Sequence, residues 1–193
     1  MHGKFWRAGA LVLGMTMMSL TGEAGAADQP LYAGRIAEFD GKTADEKLQL
    51  LVDREEIRDL IAAYAHRVAN GGTSVADLFT DDGAFLNRSP GVLLTEVRGR
   101  EALDKYYGAL QGTPGIALPM IHNYLISVRG NDATGIASIE VRIANDGVSM
   151  IASGNYKDVF RRENGRWKFV VRDCTFFHNV PLHQGWAEEP PGK

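Results

Sequence analysis

Three turn-forming tripeptides, Gly130-Asn131-Asp132, Asn145-Asp146-Gly147 and Glu163-Asn164-Gly165, cut the last third of the chain into four strand-like segments, 120–129, 134–144, 148–162 and 166–177. Asn-Gly and Asp-Gly suit tight hairpins because both central positions accept positive φ. Three successive hairpins imply a four-stranded antiparallel meander. The segments before it have the other period. Thr43-Ala44-Asp45-Glu46 fits a helix-start capping box, and Ile57, Leu60, Ile61, Tyr64, Ala65 and Val68 follow at helical spacing. Asn70-Gly71-Gly72 supplies the left-handed stop. A short helix is expected near 74–79, then a turn at Asp81-Asp82-Gly83, strands over 84–88 and 92–98, a helix over 99–110 and a loop over 112–119. Helices first and strands last define an α+β chain with the helices on one face of the sheet. Strands this long twist and coil. The expected architecture is a cone-shaped roll: a curved, mostly antiparallel sheet packed on N-terminal helices around a pocket.

The N-terminus reads as an export leader. Lys4 and Arg7 precede an apolar stretch over 8–20, too short for a membrane-spanning stop-transfer helix, and Ala24-Gly25-Ala26 offers a cleavage site. The sequence therefore divides into a signal peptide (1–26), a polar tether (27–42), one domain (43–180) and a tail (181–193), and its expected location is periplasmic or secreted. A single cysteine, Cys174, excludes an intrachain disulfide and any Cys-rich metal site. Twenty-one basic residues against 24 acidic ones, a net charge of −3, give no footprint for nucleic acid. No stable membrane span is expected.

Nucleotide-binding, zinc-protease and esterase signatures do not occur. His66, His122, His178 and His183 lack short ligand spacing, and no metal or cofactor is expected. The residue that stands out is His122. Simple alternation puts it on one face with Tyr124, Ile126 and Val128, pointing inward. It is then either a core histidine bonded to a carbonyl or a neutral imidazole poised as a general base. Tyr64, on the buried stripe of the first helix, either packs structurally or donates to a substrate oxygen. Arg172 alternates with Val170, Cys174 and Phe176. It is either a solvated edge charge or a buried clamp for an anion. If the Asn164-Gly165 turn sets the register, Asp158 and Asp173 lie on the opposite face.

The pattern resembles the SnoaL-like branch of the nuclear transport factor 2-like superfamily over about residues 53–178. The residues that carry it are Ile57-x-x-Leu60-x-x-x-Tyr64, Leu78-Phe79-Thr80-Asp81-Asp82-Gly83-Ala84, Arg98-Gly99-Arg100-Glu101-Ala102-Leu103, His122, and Gly154 to Arg162 with Asn164 to Phe169. Scytalone dehydratase, bile-acid 7α-dehydratase and hexachlorocyclohexane dehydrochlorinase look most similar. The resemblance implies a cofactor-independent lyase acting on a small apolar cyclic or aromatic molecule. In it His122 is the base, and Tyr64 and Arg172 stabilise developing charge. Asn70 and Asn87 position substrate or imidazole, and Phe85, Tyr124 and Phe176 form apolar wall. The aspartate that partners the histidine in those lyases falls on Ala69, with Asn70 next. The catalytic aspartate of the related isomerases falls near Asn87. An isomerase or polyketide-type cyclase, or a non-catalytic protein binding a hydrophobic ligand, are the alternatives for the same pocket. The outer face of such a sheet often pairs in the superfamily, which leaves a homo-oligomer open.

Overall fold

Thr43 caps the first helix, α1 (Ala44–Asn70), through the expected reciprocal box. The Thr43 hydroxyl accepts from the Glu46 amide at 3.3 Å, and Glu46 Oε2 accepts from the Thr43 amide at 2.7 Å. Gly71, at φ +66°, closes the helix by donating to the Arg67 carbonyl. The stripe from Ile57 to Val68 is buried, while His66 is exposed. The computed structural model describes residues 38–111, 117–145 and 147–183. The expected leader, most of the tether, residues 112–116 of the loop and the tail beyond His183 lie outside the described residues.

After a 3-10 turn (Ala76–Leu78) come β1 (Phe79–Ser89) and β2 (Val92–Arg98), then helix α2 (Arg100–Gln111), then β3 (Leu118–Arg129), β4 (Asp132–Asn145), β5 (Val148–Glu163) and β6 (Arg166–Pro181). The sheet order is β2-β1-β6-β5-β4-β3. The meander β3 to β6 is antiparallel throughout, and β1 joins it parallel to β6. Helix α1 covers the concave face, and α2 buries Leu103 and Tyr107 against the same core. This is the α+β roll that the sequence implies. One boundary differs. Asp81-Asp82-Gly83 is no free turn but part of β1, where pairing to β6 breaks between Phe79 and Ala84. Asp81 accepts from Arg100 there, tying the start of α2 to the strand.

Three irregularities decide which side chains face inward. In β3 the register shifts between His122 and Leu125, with Asn123 in the left-handed region at φ +57°. One extra residue in a strand inverts the alternation beyond it. Pro119 and Ile121 face the core before the shift, and Tyr124, Ile126 and Val128 face it afterwards. In β6, Val170 is extra between the Phe160–Phe169 and Val159–Val171 pairs, and Phe177 is extra between the Gly154–Phe176 and Ser153–His178 pairs. Asn123 tolerates positive φ better than most residues with a Cβ. Asn123→Val should therefore lower unfolding free energy by about 1–2 kcal/mol, while Asn123→Gly leaves it near the wild-type value. Thermal unfolding of the two variants checks the bulge directly.

Candidate functional site

The wide end of the cone holds a cavity of about 490 Å³. Its wall is mostly aliphatic and aromatic, with Phe85, Val141, Ile143, Ala152 and Phe176 among the lining residues. Tyr64, Tyr106, Tyr107 and Tyr156 supply its phenols. The Tyr64 and Tyr107 hydroxyls share a hydrogen bond at 3.2 Å. Burial raises the pKa of every one of these phenols, that of Tyr106 to about 12, so all are neutral. Cys174 also lines the wall, and desolvation pushes its thiol up to about 12. It is an inert small hydrophobe there rather than a nucleophile. Among the described residues, the lining contains no imidazole and no carboxylate.

Asn87 brings an unsatisfied acceptor to this wall. Its Oδ1 is buried and makes no hydrogen bond among the described residues. An amide both donates and accepts, so a ligand hydroxyl could satisfy it. Its neighbour Arg88 is engaged with Asp173, Nε lying 2.8 and 2.9 Å from the two carboxylate oxygens.

Arg172 lies behind the tyrosines, with no exposed surface. Its guanidinium carbon is 3.6 Å from the Tyr156 ring centroid, 4.0 Å from Tyr64 and 4.6 Å from Phe169. A weakly hydrated, planar cation suits such a cage. The Arg172 Nη1 stands 3.6 Å from Asp158 Oδ2, and both side chains are buried. This corrects the expected register. Counting back from the Asn164-Gly165 turn, Asp158 would oppose Val171 and face away. The extra Val170 advances β6 by one residue, so Asp158 opposes Arg172 on the inner face. Asp173 faces outward, as expected. Desolvation raises the Asp158 carboxyl to about 7, against the opposing pull of Arg172.

His122 is the largest correction. Its side chain is exposed and pairs in register with Ser138 on the outer face of the sheet. The bulge that follows it breaks the alternation that would have turned it inward with Tyr124. Tyr124 faces in, but its hydroxyl donates to the Ile121 carbonyl and it packs in the core rather than on the cavity wall. Asn70, at the exposed end of α1, is not on the wall either. The site therefore unites Tyr64, Phe85, Asn87 and Phe176, with Arg172 beneath, and leaves out His122, Asn70 and Tyr124. Sequence reading missed Tyr106, Tyr107, Tyr156 and Cys174. Two signals for them were available: Tyr107 follows Leu103 at i+4 on α2, and Tyr156 alternates with Asp158 and Phe160 along β5.

A helix-covered cone of six strands with an apolar chamber at its open end defines a class of small cavity-bearing proteins. The chain belongs to the SnoaL-like domain family, whose model matches residues 49–173. Among solved structures, a protein of unknown function from Mycobacterium tuberculosis shares 27% identity and a TM-score of 0.58, over 70% of this chain and 76% of its own. A scytalone dehydratase-like protein from Novosphingobium aromaticivorans has 22% identity, a TM-score of 0.59 and coverage of 74% and 95%. A type 2 hexachlorocyclohexane dehydrochlorinase has 20% identity, a TM-score of 0.60 and coverage of 76% and 99%. At these identities the last two are likenesses of fold. No curated protein matches the chain in sequence.

Proposed function

We propose that the cavity binds a small apolar cyclic or aromatic molecule bearing a hydroxyl or similar oxygen group. The observation that carries this is the unpartnered Asn87 Oδ1 on the wall of a mostly apolar chamber. A buried amide oxygen left without a donor costs free energy that a hydroxyl donated by a ligand would recover. The chamber's volume lies in the range of small-molecule sites. Calorimetric titration with naphthol and with naphthalene tests the reading. Asn87→Leu should weaken naphthol binding about fivefold to tenfold and leave naphthalene unchanged. Ala152→Trp, which fills the chamber, should abolish both. Equal loss for both ligands in Asn87→Leu would remove the amide from recognition.

A second reading, lyase chemistry in the same chamber, is favoured by the Tyr64–Arg172 stack. A neutral phenol backed by a guanidinium can donate to a leaving oxygen and stabilise the charge that develops on it. This lyase would not use His122 as its base. His122→Gln should then leave turnover intact, and Tyr64→Phe should lower it about a hundredfold. Release of water or halide separates this from isomerisation, which releases neither, and from binding alone.

A further inference from the structure

The buried pair behind the chamber wall is incompletely bonded. All three guanidinium nitrogens of Arg172 and the Asp158 Oδ1 have no hydrogen-bond partner among the described residues. The 3.6 Å between Arg172 Nη1 and Asp158 Oδ2 is an ion pair too long for a hydrogen bond. A buried carboxylate keeps its charge through donated hydrogen bonds and nearby cations. Asp158 has the cation alone. On β6 its neighbours are Arg172 and, farther off, Asp173. Tyr156 on β5, Tyr64 on α1 and Tyr107 on α2 surround the same guanidinium. Tyr124 on β3 also feels Arg172, and Arg58, paired with Glu55 on α1, lies toward that tyrosine. From β4, Gly135 stands opposite Asp158 in register.

The charge of Arg172 reaches the chamber. Its guanidinium lies against the rings of Tyr64 and Tyr156, and both line the wall. Burial raises the pKa of Tyr64, Tyr107 and Tyr156, and Arg172 pulls against that rise at all three. While Asp158 is ionised, its charge offsets that of Arg172. With a proton on Asp158, Arg172 stands uncompensated behind a wall that has no carboxylate of its own among the described residues. The charged residue on the wall, Arg88, is already paired with Asp173. An anion in the chamber and a proton on Asp158 therefore favour each other, because little water screens the charges between them.

We infer that the chamber takes a hydroxylated aromatic carboxylate, and that Asp158 takes up a proton when this ligand binds. The proton comes from solvent and rests on the Asp158 carboxyl, so no bond of the ligand changes. The inference rests on the ligand reading above and adds a charge to that ligand. The wall has partners for both groups. Asn87 Oδ1 accepts from the hydroxyl, and phenol protons are donated to the carboxylate. The Tyr106 hydroxyl makes no hydrogen bond among the described residues, and the bond between Tyr64 and Tyr107 uses one of their two hydroxyl protons. Desolvation lifts the Asp158 carboxyl to about 7 against the pull of Arg172, which sets the exchange in the neutral range.

The test is calorimetric titration of the full chain with a hydroxynaphthoate that carries its two groups on opposite rings. Its affinity should rise about tenfold from about pH 8.5 to about pH 5.5. Titrations in phosphate and in Tris near pH 7.5 should show uptake of about half a proton per ligand. Naphthol, neutral over this range, should show neither effect. Asp158→Asn should bind hydroxynaphthoate with the low-pH affinity throughout and take up no proton, while its naphthol affinity stays at the wild-type value. A merely structural role for Asp158 would not move the proton count alone. His178→Gln should keep the linkage, which separates Asp158 from an imidazole titrating over the same range. Any of four results would overturn the inference: no binding of hydroxynaphthoate, binding without proton uptake, unchanged linkage in Asp158→Asn, or loss of linkage in His178→Gln. If naphthol still binds, the ligand reading of the chamber survives that failure; if neither compound binds, both fall.

Discussion

Arg172→Met should cost about 3–5 kcal/mol of unfolding free energy near pH 8 and much less near pH 5. The physical reason is the buried partner. At the higher pH, Asp158, with a folded pKa of about 7, is ionised, and removing its only close cation among the described residues strands a carboxylate where it has no exposed surface to speak of. At the lower pH the carboxyl carries its proton, so the loss reduces to ring contacts and packing. The sign for the wild type follows from the same shift. A carboxyl whose folded pKa exceeds its ordinary value of 3.8 favours folding in its protonated form. Its contribution is complete below about pH 4 and is lost as pH rises through 7, by about 4 kcal/mol in all. Asp158→Asn should flatten that fall. The pair Asp158→Leu/Arg172→Met should recover most of the stability that the single Arg172 change removes, because apolar side chains replace buried ions at little net cost. Urea unfolding at both pH values measures all of this. An equal cost for Arg172→Met at both would break the argument.

Gly154→Ala should leave little or no folded protein, a loss beyond about 4 kcal/mol. An added Cβ would sit 1.9 Å from the Thr175 carbonyl oxygen, 2.8 Å from its carbon and 2.9 Å from Phe176 Cα. All three are backbone atoms of the paired strand, so no side chain can rotate away. The close approach has a cause. Phe177 is the extra residue beside this position, and the bend it forces presses β6 onto β5. Only a residue without a side chain fits there. Gly147, in the β4–β5 turn, has open space around its Cβ direction but φ of +77°. Gly147→Ala should cost only about 1 kcal/mol. Soluble yield and circular dichroism of the two variants distinguish contact from conformation.

The two strand corrections, at His122 and Asp158, share one origin. Period, capping and turn chemistry depend on residues a few positions apart, so α1 with its Thr43–Glu46 box, the three hairpins and the α+β roll are all readable along the chain. Tyr64 on a buried stripe follows from the same local rules; Phe85, Tyr124 and Phe176 as wall came from the resemblance, and the cavity takes Phe85 and Phe176 but not Tyr124. A bulge is different. It depends on which residue of one strand is skipped by its neighbour, and one skipped residue exchanges inside for outside along everything beyond it. Asn123 left a faint trace, since asparagine tolerates positive φ. Val170 and Phe177, two ordinary strand residues, left none. Sequence thus determined the kind of chamber this protein encloses and the helix that roofs it. Pairing across the sheet alone decided that His122 faces water and that Asp158 meets Arg172, whereas Asn87 follows Phe85 onto the inner face of β1 by simple alternation. Backbone hydrogen bonding between neighbouring strands sets the register, and alternation along one strand carries no record of a residue that its partner skips.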